Sequence, residues 1–416
     1  MEVGSPEPAP FELSPELLAS VGRLRGTPLC PECLGRVYGR WGHGLTNPDR
    51  AERLQAHVEG LTRAAPTDCF LCAGAFDRWP TWIRRAQEAS SLYEWRRFTC
   101  GSRWDPELLA REEALWGIAA SAWGESARAA FNREWGKRLS EATGTEGTTT
   151  DADLLFVADL PVGRVELTIA PLYVEGRYRK LDRTLPQTRW PCRRCRGRGC
   201  ASCSGSGKMY PTSVEELIAE PFLAATGAEG TRFHGMGRED IDARMLGRGR
   251  PFVLELRAPR RRTLDLPALA AELARTAAGR VEVDGLAPSD AHRVLQVKEA
   301  SPWKSYRVTF TGEADVEKVK EALRLVPLRA IAQRTPTRVA HRRADRVRTR
   351  KIAEVAVVAA EPGRFTLDLR AEAGTYIKEW VEGDAGRTEP SLAQLLGVRL
   401  SVEALDVLEI HDSTEE

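Results

Sequence analysis

The chain has 416 residues, of which 42% are hydrophobic, so it is long enough for two or three domains with buried cores. This composition excludes a disordered tail and a small disulfide-stapled scaffold. The longest uninterrupted apolar run, Val355 to Ala360, is far shorter than the ~18 residues that cross a bilayer, so we expect no membrane contact. The opening segment, MEVGSPEPAPFELSPE, has no signal-peptide pattern, which predicts a flexible N-terminus over 1–14 and a cytoplasmic protein.

The net charge is only +2, because 61 Lys and Arg face 59 Asp and Glu, but the basic residues are unevenly distributed. Between Arg329 and Lys351 nine Lys and Arg accompany a single acid, Asp345, and between Arg189 and Lys208 six accompany none. One such run could be an ordinary solvated face. Two runs, one of them around a cysteine cluster, favour a polyanionic partner such as tRNA or rRNA.

Eight of the nine cysteines form four copies of the pattern C-x-x-C-x-G. Two thiolates three positions apart can hold one side of a tetrahedral ion, and the following glycine permits the positive φ of such a turn. In a reducing cytosol this pattern favours zinc over a redox dithiol. The remaining cysteine, Cys100, is predicted to be a small buried hydrophobic residue.

The cysteine pairs predict two structural zinc sites without an open coordination position. The first site would use Cys30, Cys33, Cys69 and Cys72. The second would use Cys192, Cys195, Cys200 and Cys203. Only the four residues RGRG separate the two pairs of the second site. This spacing is short for a tetrahedral arrangement without strain, so the occupancy of the second site stays open.

The rest of the chain is predicted to be mixed α and β. A helical pattern from Asp105 to Leu139 indicates a helix pair or one broken helix, and a capping box at Ser213 opens a helix through about Ala225. Two more helices are expected near 266–276 and 314–325. Strands are expected at 154–160, 164–174, 252–256, near 281, and at 306–311, 352–359, 365–371 and 402–410. The last two hundred residues are therefore strand-rich with a few covering helices.

Three separated motifs in this half carry the residues best suited to chemistry. The first, Gly235 to Phe252, is a glycine-punctuated loop with three carboxylates among arginines. The second places Lys304 and Tyr306 on the same face of a strand. The third, Gly374 to Glu379, is predicted to be a strand in which Lys378 pairs with a buried aspartate. Each motif alone is weak, because an aspartate in such a loop is often a turn-former and a strand tyrosine is often a core residue.

In this order the motifs R-x-D, K-x-Y and G-T-Y-I-K resemble those of the pseudouridine synthases. The segments GREDIDARMLGRGRPF, QRTPTRVAHRRADRVRTR and GTYIKEWVEGDAGRTEPSL, with LPQTRWPCRRC upstream, resemble more closely the archaeal and eukaryotic tRNA pseudouridine synthases that act on T-loop positions 54 and 55. The resemblance runs from about Cys30 to about Ile410, and these long segments are specific. It implies an isomerase that needs structural zinc and no organic cofactor.

The resemblance implies an α+β fold with an accessory RNA-binding THUMP domain. The expected divisions are a zinc-binding region over 15–80, a THUMP-like α/β domain over 81–188, which contains FTCGSRWDPELLAREEALW, and a catalytic domain over 189–412. The catalytic domain would have a mainly antiparallel sheet with covering helices.

By the same resemblance, Asp240 is the catalytic aspartate, because it occupies the R-x-D position after Arg238. Asp242 is the rival if the register is misplaced. Tyr306 would stack on the target base, and Lys378 would pair with Asp240 and keep it ionised. The residues expected to bind RNA are Arg238, Arg244, Arg250, Arg338, Arg342, Arg343 and Tyr376.

The expected reaction breaks the C1′–N1 bond of uridine, rotates the base and rejoins it through C5. Attack of the aspartate on C1′, attack on C6 and assisted glycal formation all stay open, as does the choice between positions 54 and 55. The expected partner is tRNA, held at the T-loop elbow and at the acceptor end, with no obligatory protein partner. Two other classes compete: a non-catalytic RNA-binding protein or RNA chaperone, and a zinc-knuckle protein chaperone. A zinc-knuckle protein chaperone would need four close-packed copies of the cysteine repeat.

Overall fold

The computed structural model describes residues 13–119, 123–340 and 344–411. It divides into two compact units, one up to Ala170 and one from Pro171 onward. The expected border at 188/189 lies inside the second unit, because Leu172–Lys180 is a strand of that unit's largest sheet. Of the expected flexible segment 1–14, residues 1–12 lie outside the described residues, and Ser14 is the N-cap of the first helix. Among the helices of the described residues, none has the length and apolar character of a membrane span.

In the first unit, six helices of the described residues accompany a small sheet. The helices are α1 (Pro15–Gly22), α2 (Pro31–Val37), α3 (Asn47–His57), α4 (Trp79–Ser90), α5 (Pro106–Ala119) and α6 (Ala127–Thr143). The strands are β1 (Arg97–Arg103), β2 (Glu146–Gly147), β3 (Leu154–Asp159) and β4 (Arg164–Ile169). Their order is β2-β1-β3-β4, with β1 parallel to β2 and β3 and with β3 antiparallel to β4. Of the two alternatives expected between Asp105 and Leu139, a helix pair or one broken helix, helices α5 and α6 correspond to the helix pair.

Aromatic rings fill the core of this unit around Phe131 of α6. Five rings lie with their centroids between 5.0 and 6.2 Å from its own, and they belong to Phe76, Trp79, Trp82, Trp104 and Trp135. Such side chains each bury roughly 150–250 Å², so this cluster supplies much of the hydrophobic stabilisation. Cys100, predicted to be buried, is only half-buried at the edge of the core.

The single strand predicted over 164–174 is wrong, because Pro171 interrupts it. β4 ends at Ile169 and β5 begins at Leu172. A proline has no backbone N–H to donate to a strand ladder, so the chain leaves one sheet there and enters another. This break is also where the two compact units meet in sequence.

The second unit is built on a large, mainly antiparallel sheet. Its strands, with those of a smaller sheet, are β5 (Leu172–Lys180), β6 (Gly230–Gly235), β7 (Arg244–Arg257), β8 (Val281–Ser289), β9 (Lys304–Thr311), β10 (Ile331–Arg334), β11 (Val347–Arg350), β12 (Ile352–Glu361), β13 (Arg364–Ala371), β14 (Thr388–Glu389) and β15 (Ser401–Ile410). The large sheet has the order β12-β13-β9-β15-β7-β5-β8, with β6 also paired to β7, and the smaller sheet has the order β11-β10-β14. Within the described residues, β15 with β7 is the parallel pair of the large sheet.

Six helices of the described residues accompany these sheets. They are α7 (Val214–Thr226), α8 (Leu266–Ala277), α9 (Ala291–Glu299), α10 (Val316–Leu325), α11 (Ile377–Glu382) and α12 (Leu392–Leu396). The predicted cap of α7 is present, since the Ser213 hydroxyl accepts a hydrogen bond from the backbone N–H of Glu216. Helices α8 and α10 match the two predicted downstream helices, and α9 was not predicted.

The third motif was predicted to be a strand, and this prediction is wrong. Gly374, at φ 81°, turns the chain away after β13 ends, and α11 starts at Ile377. The Gln333 side chain replaces the strand partner, because it accepts from the Tyr376 N–H at 2.9 Å and donates to the Tyr376 carbonyl at 3.0 Å. A distant side chain therefore satisfies backbone groups that a neighbouring strand was expected to satisfy.

Candidate active site

A cavity of about 540 Å³ in the second unit brings the three sequence motifs together. The loop between β6 and β7, strand β9 and the start of α11 supply its walls, with Val339 and its neighbours from the turn after β10. Its predicted site residues are Arg238, Asp240, Arg250, Tyr306, Arg338, Tyr376 and Lys378. The motifs lie far apart in the sequence, so their meeting is a property of the fold.

Asp240 lies in the loop before β7 with its carboxylate paired to Arg338. The Arg338 Nη1 atom is 2.8 Å from Asp240 Oδ1, whereas Lys378 Nζ is 3.9 Å from Oδ2. Lys378 instead contacts both carboxylate oxygens of Asp242, at 2.6 and 2.8 Å. The predicted pairing of Lys378 with Asp240 is thus the weaker of two contacts, because the Asp242 carboxylate lies closer to the ammonium.

Arg338 also connects Asp240 to helix α11. Its Nε atom is 2.5 Å from Oε1 of the buried Glu379, and its guanidinium lies 5.9 Å from the centroid of the Tyr376 ring. Burial would lower the pKa of Arg338, but the two carboxylates outweigh this effect and raise it. The Arg338 guanidinium therefore stays protonated. It holds the Asp240 carboxylate from the turn after β10, which is separate from the loop before β7 and from α11.

Tyr306 lies on β9 at the cavity with only 8% of its surface exposed. Burial raises the pKa of its phenol to about 12, so the hydroxyl stays neutral near pH 7. Lys304 lines the cavity two residues earlier, which confirms the predicted common face. Burial, with a smaller effect from the nearby Arg250 cation, lowers the pKa of Lys304 to about 8.

Arg250 was expected to bind phosphates, and the structure contradicts this role. The side chain is 1% exposed, and its Nε atom is 2.9 Å from Oε2 of the buried Glu239. The Tyr178 hydroxyl donates to the same carboxylate at 2.9 and 3.0 Å. The Arg250 guanidinium is therefore engaged by a buried carboxylate, and this pair anchors the residue that precedes Asp240.

A buried lysine that was not predicted to be a site residue holds the loop that contains Asp240. Lys180, at the end of β5, is fully buried and donates to the carbonyls of Asp240 at 3.1 Å and Ile241 at 2.6 Å. Arg183 donates to the next carbonyl, that of Asp242, at 2.8 Å. Burial lowers the pKa of Lys180 to about 8. Three successive carbonyls of the loop are therefore held by cations of one neighbouring segment.

The other residues predicted to bind RNA lie elsewhere or outside the described residues. Arg244 makes a two-pronged contact with Asp406, at 2.7 and 3.1 Å, and it is absent from the described cavity lining. Its guanidinium is engaged in joining β7 to β15, so the structure does not support a phosphate contact. Arg342 and Arg343 lie outside the described residues.

The first cysteine group converges as predicted and lies in the first unit. The Sγ atoms of Cys30, Cys33, Cys69 and Cys72 all lie within 4.8 Å of one another, and the four residues are buried. Four thiolates about 2.3 Å from a tetrahedral zinc ion would be separated by ~3.8 Å. The Cys30–Cys72 separation of 3.7 Å fits that geometry.

The second cysteine group, in the second unit, converges equally well despite its short spacer. The pairs Cys192–Cys200 and Cys195–Cys203 have sulfur separations of 4.0 and 3.9 Å. The expected strain is avoided by left-handed backbone at Gly199 and Gly207, whose φ angles are 89° and 68°. A Cβ atom at Gly207 would lie 2.3 Å from the Gly197 carbonyl oxygen, so only glycine fits there.

Four further residues near the site were not predicted from the sequence to be site residues. The sequence gives no indication that Lys180 and Glu239 belong to the site. A lysine in a strand and an acid in a loop are most often ordinary surface residues. Trp190 and Arg193 line the cavity from the segment that leads into the second cysteine group. The acid-free basic run around those cysteines was the available signal, but it indicated RNA in general rather than this cavity.

Comparisons with known proteins show the family of the chain. Residues 173–411 match the family model "Pus10, C-terminal", and residues 82–159 match "Pus10 THUMP domain, archaeal". Three similar proteins carry the name tRNA pseudouridine synthase Pus10. The one from Methanothermobacter marburgensis is 42% identical over 95% of this chain and 98% of its own length. Those from Methanothrix thermoacetophila and Archaeoglobus fulgidus are each 40% identical, over 96% and 92% of this chain and 95% and 99% of their own lengths. On this evidence the chain belongs to the Pus10 family.

Proposed function

We propose that the protein is a tRNA pseudouridine synthase that converts uridine 54, uridine 55 or both in the T-loop of cytoplasmic tRNA. The observation that carries the proposal is the meeting of Asp240, Tyr306 and Arg338 in one cavity of a Pus10 family member. A carboxylate, an aromatic ring and a fixed cation are the groups that a C-glycoside isomerisation on a flipped base needs.

Asp240 is proposed as the catalytic residue and Tyr306 as the platform for the base. In the reaction the C1′–N1 bond breaks, a C1′–C5 bond forms, the proton on C5 leaves and N1 gains a proton. An ionised carboxylate serves attack on C1′, attack on C6 or assistance to a glycal. Arg338 holds the carboxylate in place by an ion pair at 2.8 Å. Asp242, whose side chain is 66% exposed against 27% for Asp240, lies in the less enclosed position.

The target nucleotide must leave the folded tRNA elbow before it can enter the cavity. Base stacking on an aromatic ring recovers ~1–3 kcal/mol of the stacking that extrusion loses, and Tyr306, which lines the cavity, is proposed to provide it. Arg238, which lies over the Trp190 ring at 5.3 Å, and Tyr376 are proposed to contact the RNA beside the flipped base. The THUMP region of the first unit is proposed to hold the acceptor end.

Both four-cysteine groups are proposed to hold structural zinc. The donor set is four thiolates in each, and the sulfur separations of 3.7 to 4.0 Å match a tetrahedral site. Such an ion supplies folding free energy, typically ~10–16 kcal/mol, and no catalytic step. Backbone N–H groups of Gly199 and Gly207 donate to Cys195 and Cys203 sulfurs at 3.2 Å, which orients the thiolates.

The proposal is tested by mapping pseudouridine on a defined substrate. An unmodified tRNA transcript is incubated with the purified protein, and each pseudouridine is located by chemical labelling and mass spectrometry. The proposal expects pseudouridine at position 54, 55 or both and at no other uridine. Tight binding without product would contradict it and would support the non-catalytic RNA-binding alternative.

A further inference from the structure

The segment from Trp190 to Met209, here called the cysteine hairpin, forms part of the rim of the catalytic cavity. Its two ends pair through the bonds from the Met209 N–H to the Trp190 carbonyl, at 2.9 Å, and from the Cys192 N–H to the Gly207 carbonyl, at 2.7 Å. Trp190 and Arg193 line the cavity that contains Asp240, and Arg193 is also exposed to solvent. A nucleotide entering the cavity would therefore pass beside the hairpin.

The four arginines of the hairpin carry positive charge without nearby carboxylates. Among the described residues, no carboxylate lies within 4 Å of any of its four guanidinium groups, those of Arg193, Arg194, Arg196 and Arg198. Arg194 donates to the Ser202 hydroxyl and Arg198 to the Cys195 carbonyl, and both acceptors are neutral. By contrast, Arg334 in the other basic run pairs with Asp345 at 2.6 Å. The charge of these four arginines is thus left for an anion that the described residues do not supply.

The hairpin is attached to the rest of the unit at its base. Lys208 Nζ is 2.5 Å from Glu216 Oε1, and the Arg189 N–H donates to Glu215 at 3.2 Å, so the start of α7 holds both strands. Just before the hairpin, the Gln187 amide donates to the Gly237 carbonyl at 2.9 Å, in the loop that leads to Asp240. The hairpin arginines are therefore held in a defined place relative to the catalytic loop.

The cysteine ligands lie between the arginines and would fix their spacing. Arg193 and Arg194 are bracketed by Cys192 and Cys195, and Arg196 and Arg198 follow before Cys200. A metal ion bound by the four sulfurs would hold this short loop in one conformation. The backbone of the loop already has the left-handed conformations that the sulfur arrangement needs. Ordered guanidinium groups lose less conformational entropy when they bind phosphates.

We propose that the cysteine hairpin is a phosphate-binding surface that contacts the RNA backbone next to the nucleotide in the cavity, and that metal binding holds its arginines in position. The proposal rests on the proposed function for the choice of RNA. Phosphodiester groups are the chemistry that unpaired guanidinium groups on an acid-free loop recognise, through charge and paired N–H donors. Because the hairpin lies at the rim, the contact belongs to the reacting arm rather than to a distant part of the tRNA.

The test is RNA affinity measured as a function of salt. Fluorescence anisotropy is recorded with a labelled T-arm hairpin RNA and with a whole tRNA transcript, for the full chain and for a double variant, Arg193→Gln with Arg196→Gln. The matched control is Arg324→Gln with Arg399→Gln, two exposed arginines that are absent from the described cavity lining. We expect about 10-fold weaker binding of both RNAs by the first variant. The slope of log K against log salt should fall by about 0.7 to 0.9 for each lost phosphate contact. The control should change neither quantity.

Metal content distinguishes a lost contact from a misfolded hairpin. The double variant should retain the wild-type zinc content, and Cys200→Ser, which removes one ligand, should lose about one equivalent and weaken RNA binding to a similar degree. Unchanged affinity and salt slope in the double variant, with wild-type zinc, would overturn the proposal. If the wild-type protein forms no pseudouridine while the double variant still binds RNA more weakly, the proposed function fails and the hairpin contact stands.

Discussion

Arg338, rather than Lys378, makes the closest ion pair with Asp240. The separations are 2.8 Å for the Arg338 guanidinium and 3.9 Å for the Lys378 ammonium, and Arg338 is fixed from its other side by Glu379. The carboxylate is therefore positioned by a residue from the turn after β10, while Lys378 is mostly engaged by Asp242. In our account the geometry of the proposed catalytic aspartate depends on this arginine.

The substitution Arg338→Met should slow the reaction strongly without removing the carboxylate. Loss of the guanidinium frees Asp240 to move, and a displacement of about 1 Å at a reacting group costs roughly 100-fold in rate. The measurement is the single-turnover rate at saturating enzyme, with tRNA affinity determined separately. Arg334→Met is the control, because Arg334 lies in the same basic run but pairs with Asp345. Equal rates for the two variants would contradict the positioning role.

Lys180→Met should destabilise the second unit, because it leaves the carbonyl oxygens of Leu185 and Ile241 without a donor. The Asp240 carbonyl would keep its bond from the Ala243 N–H. The ammonium donates to Leu185, Asp240 and Ile241, at 2.9, 3.1 and 2.6 Å. An unsatisfied buried acceptor costs about 1–3 kcal/mol, so the loss of the donor to two carbonyls should lower the free energy of unfolding in urea by about 2 kcal/mol or more. Lys304→Met is the matched control, since Lys304 is similarly buried but its ammonium donates no hydrogen bond to the described residues. Similar losses in both variants would show that the carbonyl contacts are not the cause.

The stability of the wild-type protein relative to Lys304→Met should depend on pH. Burial lowers the pKa of Lys304 to about 8 from an ordinary 10.5, so between these values the unfolded chain binds a proton that the folded chain has released. Unfolding free energy rises with pH wherever the unfolded state binds more protons. The wild type should gain stability over the variant from about pH 8 to about pH 10 and show a constant difference below pH 7. Urea unfolding at several pH values checks this, and a flat difference across the alkaline range would contradict the assigned pKa.

Metal analysis should find two zinc ions for each chain. Cys72→Ser should lose one equivalent and lower the unfolding temperature, because the first unit would lose a closed four-thiolate site. Cys100→Ser is the control, since its sulfur belongs to neither group and should leave both equivalents in place. A wild-type content of one zinc or none would contradict the assignment of both groups.

Sequence reasoning succeeded where a residue's neighbours in the chain determine its environment. The alternation of β9 placed Lys304 and Tyr306 on one face, and the spacing of the cysteine pairs predicted two groups of four. Sequence reasoning failed where a side chain from a distant part of the sequence determines the local backbone conformation. Gln333 satisfies the backbone of Tyr376 and so allows a turn and helix where a strand was predicted.

The electrostatics of the site were equally inaccessible to local patterns. Pairing of Arg338 with Asp240 joins residues that are 98 positions apart, and the buried contact of Arg250 with Glu239 depends on how the loop folds back over β7. An arginine has the same sequence signature whether it binds a phosphate or a buried carboxylate. The packing of the second unit is what distinguishes an arginine that can bind a phosphate from one that is paired with a buried carboxylate.

We propose that Asp240 carries the chemistry and that Asp242 does not. The most direct test of this proposal is the single-turnover yield of pseudouridine on an unmodified tRNA transcript for Asp240→Asn and Asp242→Asn, with tRNA affinity measured for both. We predict that Asp240→Asn binds tRNA but loses at least about 1,000-fold in rate, whereas Asp242→Asn stays within about 10-fold of the wild type. Wild-type turnover by Asp240→Asn, or a larger loss in Asp242→Asn than in Asp240→Asn, would show that Asp240 is not the catalytic residue.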